Sequence, residues 1–442
     1  MENLLTNLIA ENVPKAWFST LDNFIIKGKN AEVWDSKNSR YLDFVGGYAV
    51  LNTGHLHDKV VKKVEDQLKS FSHSCFAFAP HENAVLLAEQ LNTRYPISTL
   101  TKTFLVNSGA EAIENAIKIS RYFTERKHVI SFQGGFHGRT YLAMGLTGKD
   151  KPYKEGFGPF PEFVHHAIYP YHYRDVTDEM ALESVNKILN ESVDPKDTAA
   201  ILVEIEIGEG GYIPASKYFL KELRKICDNH GILLIFDEVQ TGYGRTGKMF
   251  GAEIVDVEPD LVTLAKGIAG GFPLAAVVGK SEIMDSIHDA GIGSTFGASP
   301  ISCAAALGVL EAFDSEDILT NSQQQAILMN NYLNDLKDKY EFIGDVRGYG
   351  PMIGVEFVED RTTPIKINFF TTGEDYKLLG VIPTNLKFYY SEKPFFLFGG
   401  DRLGRDLYTR TMIGMRISLF IGLGGVFFSF ILGCLFGGIS GY

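Results

Sequence analysis

Between residues 100 and 300 the chain alternates short apolar runs with stretches in which apolar side chains recur every three or four positions. The run "KTFLVN" predicts a strand. It leads into "SGAEAIENAIKISRYF", where Ala112, Ile113, Ala116, Ile117 and Ile119 mark one face of a helix. "HVISF", "AAILVEIEI" and "ILLIFDE" predict further strands, as do "LVTLAK" and "LAAVVG", and "ASKYFLKELRKICDNHG" predicts a helix closing on Gly231. This alternation predicts an α/β fold with helices packed on a mostly parallel sheet. Catalytic groups in such folds lie at strand C-terminal ends, so Asn107, Phe136, Asp237 and Lys266 are expected to converge.

"SPISCAAALGVLEAF" and "SQQQAILMNNYLNDLKDKY" predict two long helices, and "IGDVRGYGPMIGVEFVED" begins a strand. After Asp360 the pattern stops. The next stretch is aromatic-rich and irregular, and after Arg416 no charged residue occurs as far as Tyr442. The run 417–442 exceeds the about 20 apolar residues that span a bilayer, and Gly433 with Gly437 suits close helix packing. It predicts a membrane-spanning helix; the alternative is a core helix of a soluble domain.

Charge divides the chain at the same place. Nine Lys or Arg and five Asp or Glu follow Asp360, against 33 and 49 in residues 1–360. An acidic body argues against nucleic acid as a partner, and the basic residues of the tail are not clustered enough for a nucleic-acid arm. Cys75, Cys227, Cys303 and Cys434 have no metal-ligand spacing and read as reduced thiols. The N-terminus has no basic region followed by an apolar run, so no secretory signal is expected.

Four short stretches carry candidate chemistry. In "LAKGIAGGFPL" a lysine directly follows an apolar strand, where an ammonium is costly to bury unless paired or consumed. Lys266 is either a surface lysine at a strand end or a desolvated amine of depressed pKa suited to Schiff-base formation. Glycines at 267, 270 and 271, which would let the backbone approach a bulky ligand, favour the second. Asp237, in "LLIFDEVQTGYGRTG", is a helix cap, a salt-bridge partner, or the acid that keeps a pyridine nitrogen protonated; with Lys266 downstream, the cofactor role is the better reading. "NSGAEA" sits at a strand-to-helix junction whose N–H groups could hold phosphate. In "GGFHGRT", Phe136 could stack on a flat ring and Arg139 could grip a carboxylate, or both could be a packed aromatic and a solvated charge.

From about residue 15 to 358 the chain resembles the class III pyridoxal-phosphate aminotransferases, above all the 4-aminobutyrate branch, with acetylornithine and ornithine enzymes as cousins. The resemblance runs through "YLDFVGGYAVLNTGHLH", "NSGAEAIENAIKISR", "GGFHGRT", "GEGGY", "IFDEVQTGYGRTG", "PDLVTLAKGIAGGFPLAAVVG" and "GSTFGASPISCAAALGVLE". It implies fold type I, with residues 1–58 starting a small domain, 59–300 forming the large cofactor-binding domain and 301–360 resuming the small one. It implies pyridoxal 5'-phosphate as cofactor, with Lys266 as the Schiff-base lysine and Asp237 at the pyridine nitrogen. Gln240 would face the ring hydroxyl, Phe136 would stack on the ring with His137 beside it, and Ser108, Gly109 and Ala110 would hold the phosphate. Thr295 would reach the phosphate of a neighbouring subunit, since these enzymes resemble obligate homodimers. Arg139 would bind the carboxylate of an ω-amino acid or of the 2-oxo acid acceptor, and Glu209 would mask a second arginine. Cytoplasmic location follows.

Two departures stand out. The family usually has "E-P-x-Q-G-E-G-G", whereas this chain has "EIEIGEGG", keeping Glu204 and Glu209 but placing Ile205 for proline and Ile207 for glutamine. Tyr48, on the substrate side, stands where the 4-aminobutyrate enzymes carry a smaller aliphatic residue and resembles the ornithine branch. Residues 361–442 in turn resemble a permease subunit of oligopeptide ABC importers, through "GDRLGRDLYTR" and the "GMRISL" that opens the apolar span 417–439. This implies two joined fragments, membrane contact through 417–442, exposed apolar faces on helices 300–340, and loss of the arginine that Glu209 would mask.

Overall fold

The computed structural model describes residues 2–17, 19, 23–360, 363–364, 367–378 and 382–391. The permease-like motifs and the apolar run 417–442 lie outside the described residues. Among the described residues no helix is long and apolar enough to cross a membrane.

The chain divides into two compact units, one of residues 1–338 and 345–355, the other of 339–344 and 356–442. The first is built on a seven-stranded sheet of β1 (Thr101–Val106), β2 (His128–Phe132), β3 (Val164–Ala167), β4 (Thr198–Glu204), β5 (Leu233–Asp237), β6 (Leu261–Leu264) and β7 (Ala275–Lys280). Their order across the sheet is β1-β7-β6-β5-β4-β2-β3. β7 runs antiparallel to both β6 and β1, while the pairs β6–β5, β5–β4, β4–β2 and β2–β3 are parallel. In the second unit, strands Ile367–Leu378 and Ile382–Ser391 pair antiparallel.

The central strands are apolar throughout because both of their faces are covered. Along β4, Ile201 and Val203 enter one hydrophobic cluster while Ala200 and Leu202 enter the other. β5 divides the same way, Leu234 and Phe236 on one side, Leu233 and Ile235 on the other. A parallel sheet buried on both faces has no polar side to alternate with. The Gly109–Thr124 helix lays Ala112, Ile113, Ala116, Ile117 and Ile119 on one cluster. The Lys217–His230 helix lays Phe219, Leu220, Leu223 and Cys227 on the other. Ser216 caps that helix by accepting from Phe219 N–H at 2.9 Å, and Gly231 ends it at φ 63°, where a Cβ would be strained.

Two expectations change here. "AAILVEIEI" is not one strand. β4 stops at Glu204, and Glu206–Ile207 pairs antiparallel with Ile213–Pro214 instead. The helix Pro300–Ser315 does not expose an apolar face, for Cys303, Ala305, Val309, Leu310 and Phe313 are buried in the core. The helix Ile318–Lys339 does, with Ile327 and Leu328 exposed by 62% and 65%.

Candidate active site

Five strand ends deliver side chains to one cavity of about 380 Å³. β1 leads into Asn107, Ser108, Gly109 and Ala110; β2 into Phe136, His137 and Gly138; β4 ends on Glu204; β5 on Asp237, with Val239 and Gln240; β6 runs into Ala265 and Lys266. Glu209 lines the same cavity. All four residues expected to converge do so.

Asp237 ends a strand that can hold it only if its charge is satisfied, and it is. His137 Nδ1–H donates to one oxygen at 2.7 Å, while Val239 N–H at 3.0 Å and Thr263 O–H at 3.3 Å donate to the other. His137 is itself buried, with its backbone N–H on Thr147 Oγ1. Glu204, beside Asp237 in strand register, accepts Phe136 N–H at 2.9 Å and Gly208 N–H at 3.1 Å. Burial pushes the Glu204 carboxyl up to about 7; His137 opposes this and Asp237 adds to it.

Lys266 sits at φ 46°, a left-handed conformation rarely adopted by a side-chain-bearing residue and maintained only where the surroundings enforce it. Burial lowers its amine below the ordinary lysine range, partly offset by Glu204, Asp237 and Glu209. The neighbouring glycines do less for a ligand than expected. A Cβ on Gly267 would lie 2.6 Å from Asn52, and one on Gly270 would press on Val60 and Val309, so both serve close packing. Gly271, at φ 105°, lines the cavity.

Ser108 caps the Gly109–Thr124 helix through Glu111 N–H and presents its first turn to the cavity. Gln240 packs so tightly on Gly208 that a Cβ there would fall 1.7 Å from its Oε1. Arg139, Tyr48 and Thr295 are not among the cavity's lining residues; all three are exposed, and Tyr48 stands at φ 62°. Arg139 lies over the Tyr153 ring, 4.9 Å from its centroid. Glu209 accepts the Tyr153 hydroxyl at 2.8 Å, and among the described residues no arginine pairs with it. Sequence reasoning passed over Val50, Val239 and Tyr153, which carry no distinctive spacing.

A strained, half-buried lysine sharing one cavity with a buried aspartate and a helix N-terminus defines a fold-type I α/β enzyme that works through a cofactor. The chain belongs to the family Aminotransferase class-III, whose model matches residues 16–382. The match continues past Asp360, so residues 361–382, expected to begin the permease-like segment, fall within the aminotransferase family instead. The chain is 47% identical to a 5-aminovalerate aminotransferase of Pseudomonas putida over 361 residues, 82% of this chain and 85% of that one. It is 46% identical to a 4-aminobutyrate aminotransferase of Escherichia coli over 337 residues, 76% and 79% of the two chains. A solved taurine:2-oxoglutarate aminotransferase of Bifidobacterium kashiwanohense, in complex with pyridoxal phosphate and glutamate, superposes with a TM-score of 0.77. That pair is 27% identical and covers 82% of this chain and 84% of the other.

The chain is thus a transaminase with pyridoxal 5'-phosphate as its cofactor, and its residues fit the group. The Lys266 amine enters the cavity with no described residue hydrogen-bonded to it, and Asp237 keeps lone-pair capacity beyond its three donors.

Proposed function

We propose that the enzyme moves the amino group of an ω-amino acid of the 4-aminobutyrate type to 2-oxoglutarate. The observation that carries this reading is the meeting of Lys266, Asp237 and Glu209 at one cavity. The names of the relatives point to donors with a carboxylate at the far end. Bound there, the cofactor supplies an electron sink for the charge left when a proton leaves the amino-bearing carbon.

The chain's own residues do the rest. Lys266 Nζ, its proton held less firmly because it is desolvated, takes and returns that proton. Asp237, oriented by His137, would keep the pyridine nitrogen of the bound group protonated, and Gln240 would face its ring hydroxyl. The N–H groups of Ser108, Gly109 and Ala110 hold phosphate at a helix N-terminus. Phe136 would stack on the ring, its backbone N–H fixed by Glu204. Arg139 holds the substrate carboxylate, with Tyr48 on the substrate side.

Thr295 completes the site of a second copy in a homodimer. This is supported by the exposed aromatics Phe78, at 89%, and Phe296, at 64%, the latter next to Thr295 in the loop that Ser294 ties to Asn107. The division at residues 58, 300 and 360 into small, large and small domains belongs to the same reading. The free thiols Cys75, Cys227 and Cys303 support a cytoplasmic location. Membrane contact through 417–442 is tested by fractionation, and activity confined to the soluble fraction removes it.

A second donor class, of ornithine type, is favoured by Tyr48, which stands where the 4-aminobutyrate enzymes carry a smaller aliphatic residue. Comparing kcat/KM for 4-aminobutyrate, 5-aminovalerate and ornithine decides between the two. The reading as a whole is tested by reducing the yellow protein with borohydride and weighing it intact. A stable mass gain lost in Lys266→Ala is expected, and a colourless protein of unchanged mass sinks the reading.

A further inference from the structure

Tyr153 lies in the loop that follows the Tyr141–Leu146 helix and has no role in the scheme above. Its hydroxyl donates to Glu209 Oε2 at 2.8 Å, and its ring face carries the Arg139 guanidinium 4.9 Å from the centroid. Its ring also lies 4.9 Å from that of Phe136, inclined by 57°. From the same loop, Lys149 donates to the Glu209 backbone carbonyl at 3.1 Å. One phenol therefore touches a carboxylate, a guanidinium and the ring expected to stack on the cofactor.

Glu209 and Arg139 carry opposite charges at the rim and share a neighbour, yet no ion pair joins them among the described residues. Each is satisfied by a different part of Tyr153. The hydroxyl supplies the carboxylate with a donor, and the ring face supplies the guanidinium with a partner that leaves its N–H groups free. We propose that Tyr153 is a positioning residue that holds Glu209 away from Arg139, so that the guanidinium stays open to the carboxylate of the substrate; this rests on the assignment of Arg139 given above. Burial, reinforced by the bond to Glu209, pushes the Tyr153 hydroxyl up to about 12, so it remains a donor throughout the range in which the enzyme would work.

Tyr153→Phe keeps the ring against Arg139 and Phe136 and removes only the donor. Glu209, left without that partner, then turns to Arg139 and competes with incoming carboxylates. The test titrates the cofactor-loaded protein with valerate, an unreactive carboxylate, by calorimetry. Tyr153→Phe is expected to weaken binding about tenfold, the scale of one hydrogen bond to a charged acceptor. Adding Glu209→Gln, which cannot pair with Arg139 as an anion, is expected to restore binding to within about twofold. In steady state the penalty should fall mainly on KM for 4-aminobutyrate rather than on kcat, and more heavily than on KM for butylamine. Unchanged valerate binding in Tyr153→Phe, or a loss that persists in the double variant, overturns the proposal. Failure of the native protein to bind valerate overturns the Arg139 assignment, and the proposal with it.

Discussion

At the scale of single residues, the Asp237 carboxylate is a closely held group. It is 4% exposed and accepts three donors, one of them the buried His137. Asp237→Ala removes the acid that would keep a pyridine nitrogen protonated and strands His137 without its acceptor. Turnover is expected to fall by several orders of magnitude while part of the cofactor absorbance survives, because the phosphate contacts proposed for Ser108–Ala110 would be untouched. Near-native turnover in that variant would contradict the role. This residue was legible in the sequence because it breaks an apolar run, as Lys266 does at the end of β6. The bond from Asp237 to His137 was not legible, for it joins residues a hundred positions apart that only the sheet brings together.

Among the elements, the segment after β4 departs furthest from the expected pattern. The chain bends at Ile205, and Glu206 turns into the protein, 0% exposed, with Tyr349 N–H on one oxygen and no partner for the other. Burial raises its carboxyl from 4.5 to about 8, with Glu204 adding and the Tyr349 N–H and Arg347 opposing. A raised folded pKa means the native state holds a proton that the unfolded chain releases. The stabilising contribution is therefore complete below 4.5 and is lost as pH rises through about 8. Glu206→Gln, neutral at every pH, should flatten that decline, so melting temperatures of native and variant protein should diverge by a few degrees between pH 5 and pH 8. Parallel melting curves against pH would mean that Glu206 is ionised in the fold.

The turn that follows supplies a second test. Gly208→Ala drives a methyl into the Gln240 amide, 1.7 Å away, and forces that side chain to swing out of its place. Cofactor affinity should drop by roughly tenfold or more, and Gln240→Ala should cost little further in that background. An additive double variant would separate the two residues. Glycine at 208 was visible in the sequence as part of "GEGG", but its reason was not. A glycine that makes room for a side chain from the turn after another strand leaves no periodic trace.

For the whole molecule, Ile327, Leu328 and Tyr332 on the Ile318–Lys339 helix form one exposed apolar surface among the described residues. Replacing Ile327 and Tyr332 with lysine should leave the melting free energy within about 0.5 kcal/mol per site and raise the concentration at which light scattering begins. A loss of several kcal/mol would mean that the face is covered. The sheet as a whole was legible because strands buried on both sides are written as unbroken apolar runs. The antiparallel β7 was not, since "LAAVVG" reads the same in either direction.

One further property follows from where the five strand ends meet. No pair of neighbouring strands makes the cavity, because Ser108, Phe136, Glu204, Asp237 and Lys266 arrive from β1, β2, β4, β5 and β6. A ligand that needs all five cannot bind the sheet until every crossover has closed in register, and a slip of one residue in β5 would turn Asp237 toward the opposite face. The cofactor is therefore a ligand of the finished fold alone. By mass action it should deepen the native basin by about 2.7 kcal/mol at a hundred times its dissociation constant, which makes the vitamin supply of the cell a determinant of how much of this chain stays folded.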